Sequence, residues 1–123
     1  MAQRKEIGDF SLKMSTFVNV ASASAGVLRQ VTWEGPVTGF GTLFVTVTFS
    51  GSGKAGTFTD CSTAFLDNGD FLHGIGQGNY ESKGTHSWHA KGFTQLSDGR
   101  RVEHEGNINL AERSWSGKVF ELS

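Results

Sequence analysis

The sequence predicts an all-β domain, a single antiparallel meander closed into a barrel of about eight strands. Three observations predict it. Apolar and polar residues alternate with period two along most of the 123 residues. Turn-forming clusters centre near residues 52, 68, 82, 98 and 112, at almost even spacing. Glycine is abundant at 17 residues against a single proline, Pro36, which suits strands that bend and turn tightly rather than a disordered linker. Closing such a meander removes the two long edges that a flat sheet would leave open to aggregation.

The length fits one domain over residues 1–123, with 1–8 expected as a flexible N-terminus. The first strand runs from Asp9 to Val20. Phe10, Leu12, Met14, Thr16, Val18 and Val20 share one face, and Phe17 interrupts the polar face. After a small-residue loop, Val27 to Glu34 fit a short strand with Val27, Val31 and Trp33 on one side, with a helical turn as the alternative, ended by Gly35-Pro36. Residues 37–49 give the clearest alternation. Val37, Leu43, Val45, Val47 and Phe49 form an inner face, and the threonines with Phe40 and Phe44 form an outer one.

The strand from Gly56 to Leu66 places Phe58, Asp60, Ser62 and Ala64 inward, by analogy with its neighbour. Asn68-Gly69 suits a type I′ hairpin turn. Phe71 to Tyr80 carries Leu72, Gly74, Gly76, Gly78 and Tyr80 on one face, and Glu81 to Gly84 turns the chain. In the strand from Thr85 to Leu96, His86, Trp88, Ala90 and Gly92 face inward. Arg101 to Ala111 sets Val102, His104, Gly106 and Ile108 against a solvated set of Arg101, Glu103, Glu105 and Asn107, so His104 faces inward. Trp115 to Leu122 closes the barrel.

A net charge of −1 gives no footprint for nucleic acid. No export signal and no long apolar run are present, so no membrane role and a cytoplasmic setting are expected. The lone Cys61 permits no internal disulfide. The candidate catalytic groups are His86 and His104, imidazoles that titrate near neutral pH, and Asp60, whose carboxyl an apolar lumen would hold protonated to higher pH; the competing reading for Asp60 is a bulge that turns it to water. Trp88, Tyr80, Ser62 and Trp33 are the candidate ligand-binding residues, and simple space-filling is the competing reading for each histidine. His86 and His89 face opposite sides of one strand, so a metal site is not expected, nor any cofactor. The run from Gly74 to Gly78 lacks the strand-to-helix setting of a phosphate loop.

The meander and the run from Gly74 to Trp88, GIGQGNYESKGTHSW, resemble the small allene oxide cyclase-like barrels, over about Phe10 to Leu122. The resemblance implies an allene oxide cyclase-like or lipocalin-like barrel with one apolar mouth, able in some relatives to fold or isomerise a hydrophobic substrate. It transfers no active-site residue. Three functions compete. The first is a lumen that binds a small hydrophobic molecule and isomerises or cyclises it through His86, His104 or Asp60. The second is a carrier or sensor with the same pocket, and the third a solid-cored barrel acting through oligomerisation. Phe17, Phe40, Phe44 and Phe93 on polar faces point to a homo-oligomer, a dimer or higher.

Overall fold

Each stretch of alternation becomes a strand that pairs with the next through a short turn. The computed structural model describes residues 3–123. Its elements are β1 (Arg4–Ser22), β2 (Gly26–Val37), β3 (Gly41–Phe49), β4 (Ala55–Leu66), β5 (Phe71–Gly84), β6 (Ser87–Leu96), β7 (Arg101–Asn109) and β8 (Ser114–Leu122). They form a closed antiparallel barrel in sequence order. The seam is β1 against β8, from Arg4↔Leu122 to Lys13↔Ser114. The described termini lie together at one end of the barrel, where the Ser123 N–H donates to the Gln3 carbonyl. The turns after β2, β4 and β6 share that end; those after β1, β3, β5 and β7 form the opposite end.

Four local features depart from the sequence reading. Residues 1–2 of the expected flexible N-terminus lie outside the described residues, but 4–8 belong to β1. Outside the seam, Arg4 bonds Glu103 and Glu105 and stacks 3.8 Å from the Phe120 ring, while Lys118 bonds Glu6. Glu103, expected in solvent, is only 6% exposed because Arg4 and Lys91 cover it. Secondly, Gly35-Pro36 does not end β2. The β1–β2 ladder skips from Phe10↔Val37 to Lys13↔Glu34, so the missing proline N–H falls where the ladder is already interrupted. The chain turns instead at Thr38–Phe40, where Gly39 takes φ 85° and the Phe40 N–H donates to the Val37 carbonyl.

Thirdly, a bulge between Met14 and Thr16 reverses the faces of the rest of β1. Phe17 now pairs with the lumen residue Val31, and Val18 points outward. Fourthly, β5 runs on to Gly84 and the chain turns at Thr85–His86, with His86 at φ 52°.

The core is contributed by every strand. At mid-height a septum of large aromatics crosses the lumen. Trp33 and Trp115 meet edge to face at 5.7 Å, Phe58 lies 6.1 Å from Trp115, and Phe49 lies 5.8 Å from Phe58. Burying one such ring is worth about 2–3 kcal/mol before contact geometry is counted. Outside, Phe44, Phe65, Phe71, Ile75 and Phe93 are exposed. Because residues 4–8 complete the seam, deleting residues 1–8 is expected to lower the melting temperature by about 10 °C or more. Thermal unfolding followed by circular dichroism checks this, and an unchanged midpoint would show the segment to be dispensable.

Candidate functional site

The polar groups of the lumen are brought together by what the neighbouring strands leave out. Asp60 on β4 stands in register with Gly76, then Thr94, then Val102. One row along, Phe58 stands in register with Gly78, Gly92 and His104. β4 and β7 are three strand spacings apart, about 14 Å along the wall. Yet the His104 Nε2 lies 4.0 Å from the Asp60 Oδ2. Curvature and absent side chains allow this. A Cβ on Gly92 would lie 2.8 Å from the His104 Nε2, and one on Gly76 2.9 Å from the Asp60 Oδ1. The alternating glycines therefore do more than bend β5; they clear a passage across which a carboxyl and an imidazole face each other.

The pair sits on the septum. His104 packs against Trp115 at 5.6 Å and Phe58 at 5.9 Å, with Phe10 edge-on at 6.3 Å. Above it, toward the termini, is a cavity of about 100 Å³. Its walls include Leu12, Val45, Leu72 and Val119, its mouth Phe40 and Leu96, and its polar groups Asp60, Ser62, Thr94 and His104. Asp60 is 8% exposed and its Oδ2 has no hydrogen-bond partner among the described residues, nor has the buried Nε1 of Trp115. Burial pushes the Asp60 carboxyl up to about 6. It pushes the His104 imidazole down to about 4, against the pull of Glu103 beside it in sequence.

His86 does not join them. The turn at Thr85–His86 leaves it exposed at the opposite end, because β5 continues through the expected turn at 81–84 as far as Gly84. The other histidines are outside the lumen: His73 beside the Thr63 hydroxyl at 3.2 Å, and His89 beside Glu105 at 3.1 Å. Of the expected ligand-binding residues, only Ser62 shares the cavity with Asp60 and His104. Trp33 belongs to the septum, and with Tyr80 and Trp88 it lines a second cavity of about 250 Å³ on the far side. There the Tyr80 hydroxyl donates to the Ser50 carbonyl and the Trp88 Nε1 to the Gly53 carbonyl, each at 2.6 Å, which ties the β3–β4 turn over the barrel end. Trp115 and Thr94 complete the first site without having been singled out for it. The in-register glycine pair Gly78 and Gly92 was the available signal.

Fold and site together define a small meander barrel with a divided lumen and one buried carboxyl–imidazole pair. Comparison of the chain with protein-family models, curated proteins and solved structures returns no match.

The pair has a signature in stability. In the folded barrel it takes its first proton near pH 6 and its second near 4. In the unfolded chain the ordinary values are 6.5 and 3.8. The proton counts nearly match at every pH, so the intact pair adds little pH dependence. Folding only moves the first proton from the imidazole to the carboxyl. Each single variant uncovers the other group. In Asp60→Asn, the lowered His104 contributes stability above about pH 6.5 that is lost as pH falls toward 4. In His104→Gln, the raised Asp60 contributes stability below about pH 3.8 that is lost as pH rises through 6. Each swing is about 3 kcal/mol. Urea titrations between pH 4 and 7 are expected to give stabilities that, relative to the parent, slope in opposite directions with pH for the two variants; slopes of the same sign would refute the burial of one of the two groups.

Proposed function

We propose that the barrel binds a small, mainly apolar molecule bearing one carbonyl group in the cavity at the terminal end, and moves a proton on it as an isomerase. The observation that carries this reading is Asp60, a buried carboxyl whose Oδ2 has no hydrogen-bond partner among the described residues, 4.0 Å from an imidazole in an apolar pocket. A carboxyl buried without hydrogen-bond compensation costs stability, and proton transfer is the use to which such a group is suited. The cavity of about 100 Å³ is smaller than the roughly 150 Å³ that holds benzene in a closed core. By that measure it encloses about four non-hydrogen atoms, so a six-membered ring would enter it in part, with the remainder in the mouth at Phe40 and Leu96.

Above about pH 6 Asp60 is a carboxylate. It takes a proton from the carbon next to the carbonyl, breaking that C–H bond. Negative charge collects on the carbonyl oxygen, for which His104, neutral above about pH 4, and the unpartnered Trp115 Nε1 are the available donors. Asp60 then returns the proton two carbons further on as the double bond shifts into conjugation. One C–H bond breaks and one forms, and no cofactor is consumed. This chemistry lies within the isomerase and cyclase activities that the resemblance to allene oxide cyclase-like barrels implies. A carrier or sensor would use the same pocket without the proton step.

The test uses 3-cyclohexen-1-one, whose conversion to 2-cyclohexen-1-one is followed by absorbance. The rate is expected to rise with pH through a midpoint near 6, the value to which burial raises Asp60. Asp60→Asn is expected to lose on the order of 100-fold or more and to retain binding seen as shifts of the Trp115 indole signal. Binding without conversion would leave a carrier, and no binding would remove both readings.

We propose also that copies of the chain associate through the outer face of β3–β6. Phe65 packs edge to face on Phe44 at 5.8 Å and on Phe71 at 5.2 Å while all three remain exposed, with Ile75 74% exposed nearby. Phe44 and Phe93 of the four aromatics marked in the sequence lie on the outer surface; Phe40 and Phe17 line the two cavities. Light scattering after size exclusion is expected to give a dimer or larger species that Phe65→Ser with Phe71→Ser dissociates. A parent monomer at micromolar concentration would overturn this.

A further inference from the structure

The septum leaves the second cavity, at the end opposite the termini, without any part in the proton-transfer reading. It is the larger of the two at about 250 Å³. Its walls are apolar, from Met14, Val31, Trp33, Phe49 and Ile108, and Phe17 stands half-exposed beside them because the β1 bulge has turned it to this side. One cation lines it, Arg29. β2 alternation puts Arg29 on the lumen face with Val31 and Trp33, and in register with the buried Phe49.

Arg29 is held in place but not neutralised. Its Nη2 donates to the Tyr80 hydroxyl at 3.1 Å and to the Gly51 carbonyl at 3.4 Å. Tyr80 is itself fixed by its bond to Ser50. No ion pair to Arg29 is formed among the described residues, whereas Arg4 and Arg100 each hold carboxylates. A guanidinium fixed on one nitrogen keeps an edge that can grip a carboxylate with two hydrogen bonds. A second unpaired polar group belongs to a lining residue. The Trp33 indole, 1% exposed, lines this cavity and its Nε1 has no partner among the described residues.

We propose that this cavity is a second binding site, for an apolar monocarboxylate whose chain lies between Met14, Val31, Trp33 and Ile108 and whose carboxylate is held by Arg29. If roughly 150 Å³ holds the six carbons of benzene, this cavity takes about ten non-hydrogen atoms. Octanoate has that size. A single cation and an apolar wall select one negative charge on a hydrocarbon body, not a phosphate-rich ligand. The site is independent of the dyad, because Trp33, Phe58 and Trp115 stand between them.

Calorimetric titration of the full chain with octanoate and with 1-octanol tests it. Octanoate is expected to bind at least tenfold more tightly. Arg29→Gln is expected to lose that preference, leaving octanol unchanged, and Arg29→Lys to keep part of it, which separates loss of charge from loss of the fold. Indole signals of Trp33 and Trp88 are expected to shift while that of Trp115 does not. Absence of octanoate binding, equal affinity for the two probes, a preference that survives Arg29→Gln, or shifts confined to Trp115 would each overturn the proposal.

Discussion

A barrel of eight strands encloses a space that side chains can just fill, and the placing of its largest side chains decides what space is left. Here Trp33, Phe58 and Trp115 meet at mid-height. The division of the interior follows from that contact. It removes the continuous channel, gives each end a floor, and supplies the apolar surroundings that shift Asp60 and His104. It also separates chemistry by type. The end with the termini holds the titratable pair, and the other end holds a fixed cation.

The glycines of β5 and β6 are the counterpart of this aromatic crowding. A barrel wall normally sends a side chain inward at every second position. Where Gly76, Gly78 and Gly92 send none, groups on β4 and β7 reach one another over the intervening strands. Fixing that geometry costs stability: two polar groups are withdrawn from water, with 4.0 Å between them. Burial then favours the neutral form of each, so the proton sits on the carboxyl rather than the imidazole at mildly acidic pH. A barrel selected for stability alone would place apolar side chains at these positions.

The alternation of single strands was legible, and with it the fold. Residues 41–49 and 101–109 alternate so sharply that the inward aspect of His104 follows from parity, whereas 56–66 alternates less cleanly and the inward aspect of Asp60 and Ser62 rests on analogy with the neighbouring strand. Parity is also where reading failed. It survives only while the residue count is unbroken, and one extra residue near Ser15 reversed Phe17, while a turn later than expected removed His86 from the lumen. Glu103 was misjudged for another reason: its cover comes from Arg4, about a hundred positions away, and from Lys91 on the next strand. Depth along the barrel axis was beyond reach altogether. It depends on stagger between strands, so Trp33 and Trp88 could be assigned to the interior but not to the same cavity.

The order of the strands has a kinetic meaning. Seven of the eight pairings join neighbours through short turns, and each can form without waiting for the rest. The eighth, β1 with β8, joins Arg4 to Leu122, and almost the whole chain must already be curved before that ladder can zip. Loop-closure entropy sets this contact last. Until it forms, Leu12 lacks its partner Trp115, so the septum cannot be complete. The two pockets therefore come into being only at the final step of folding, and local opening of the same seam would empty both at once.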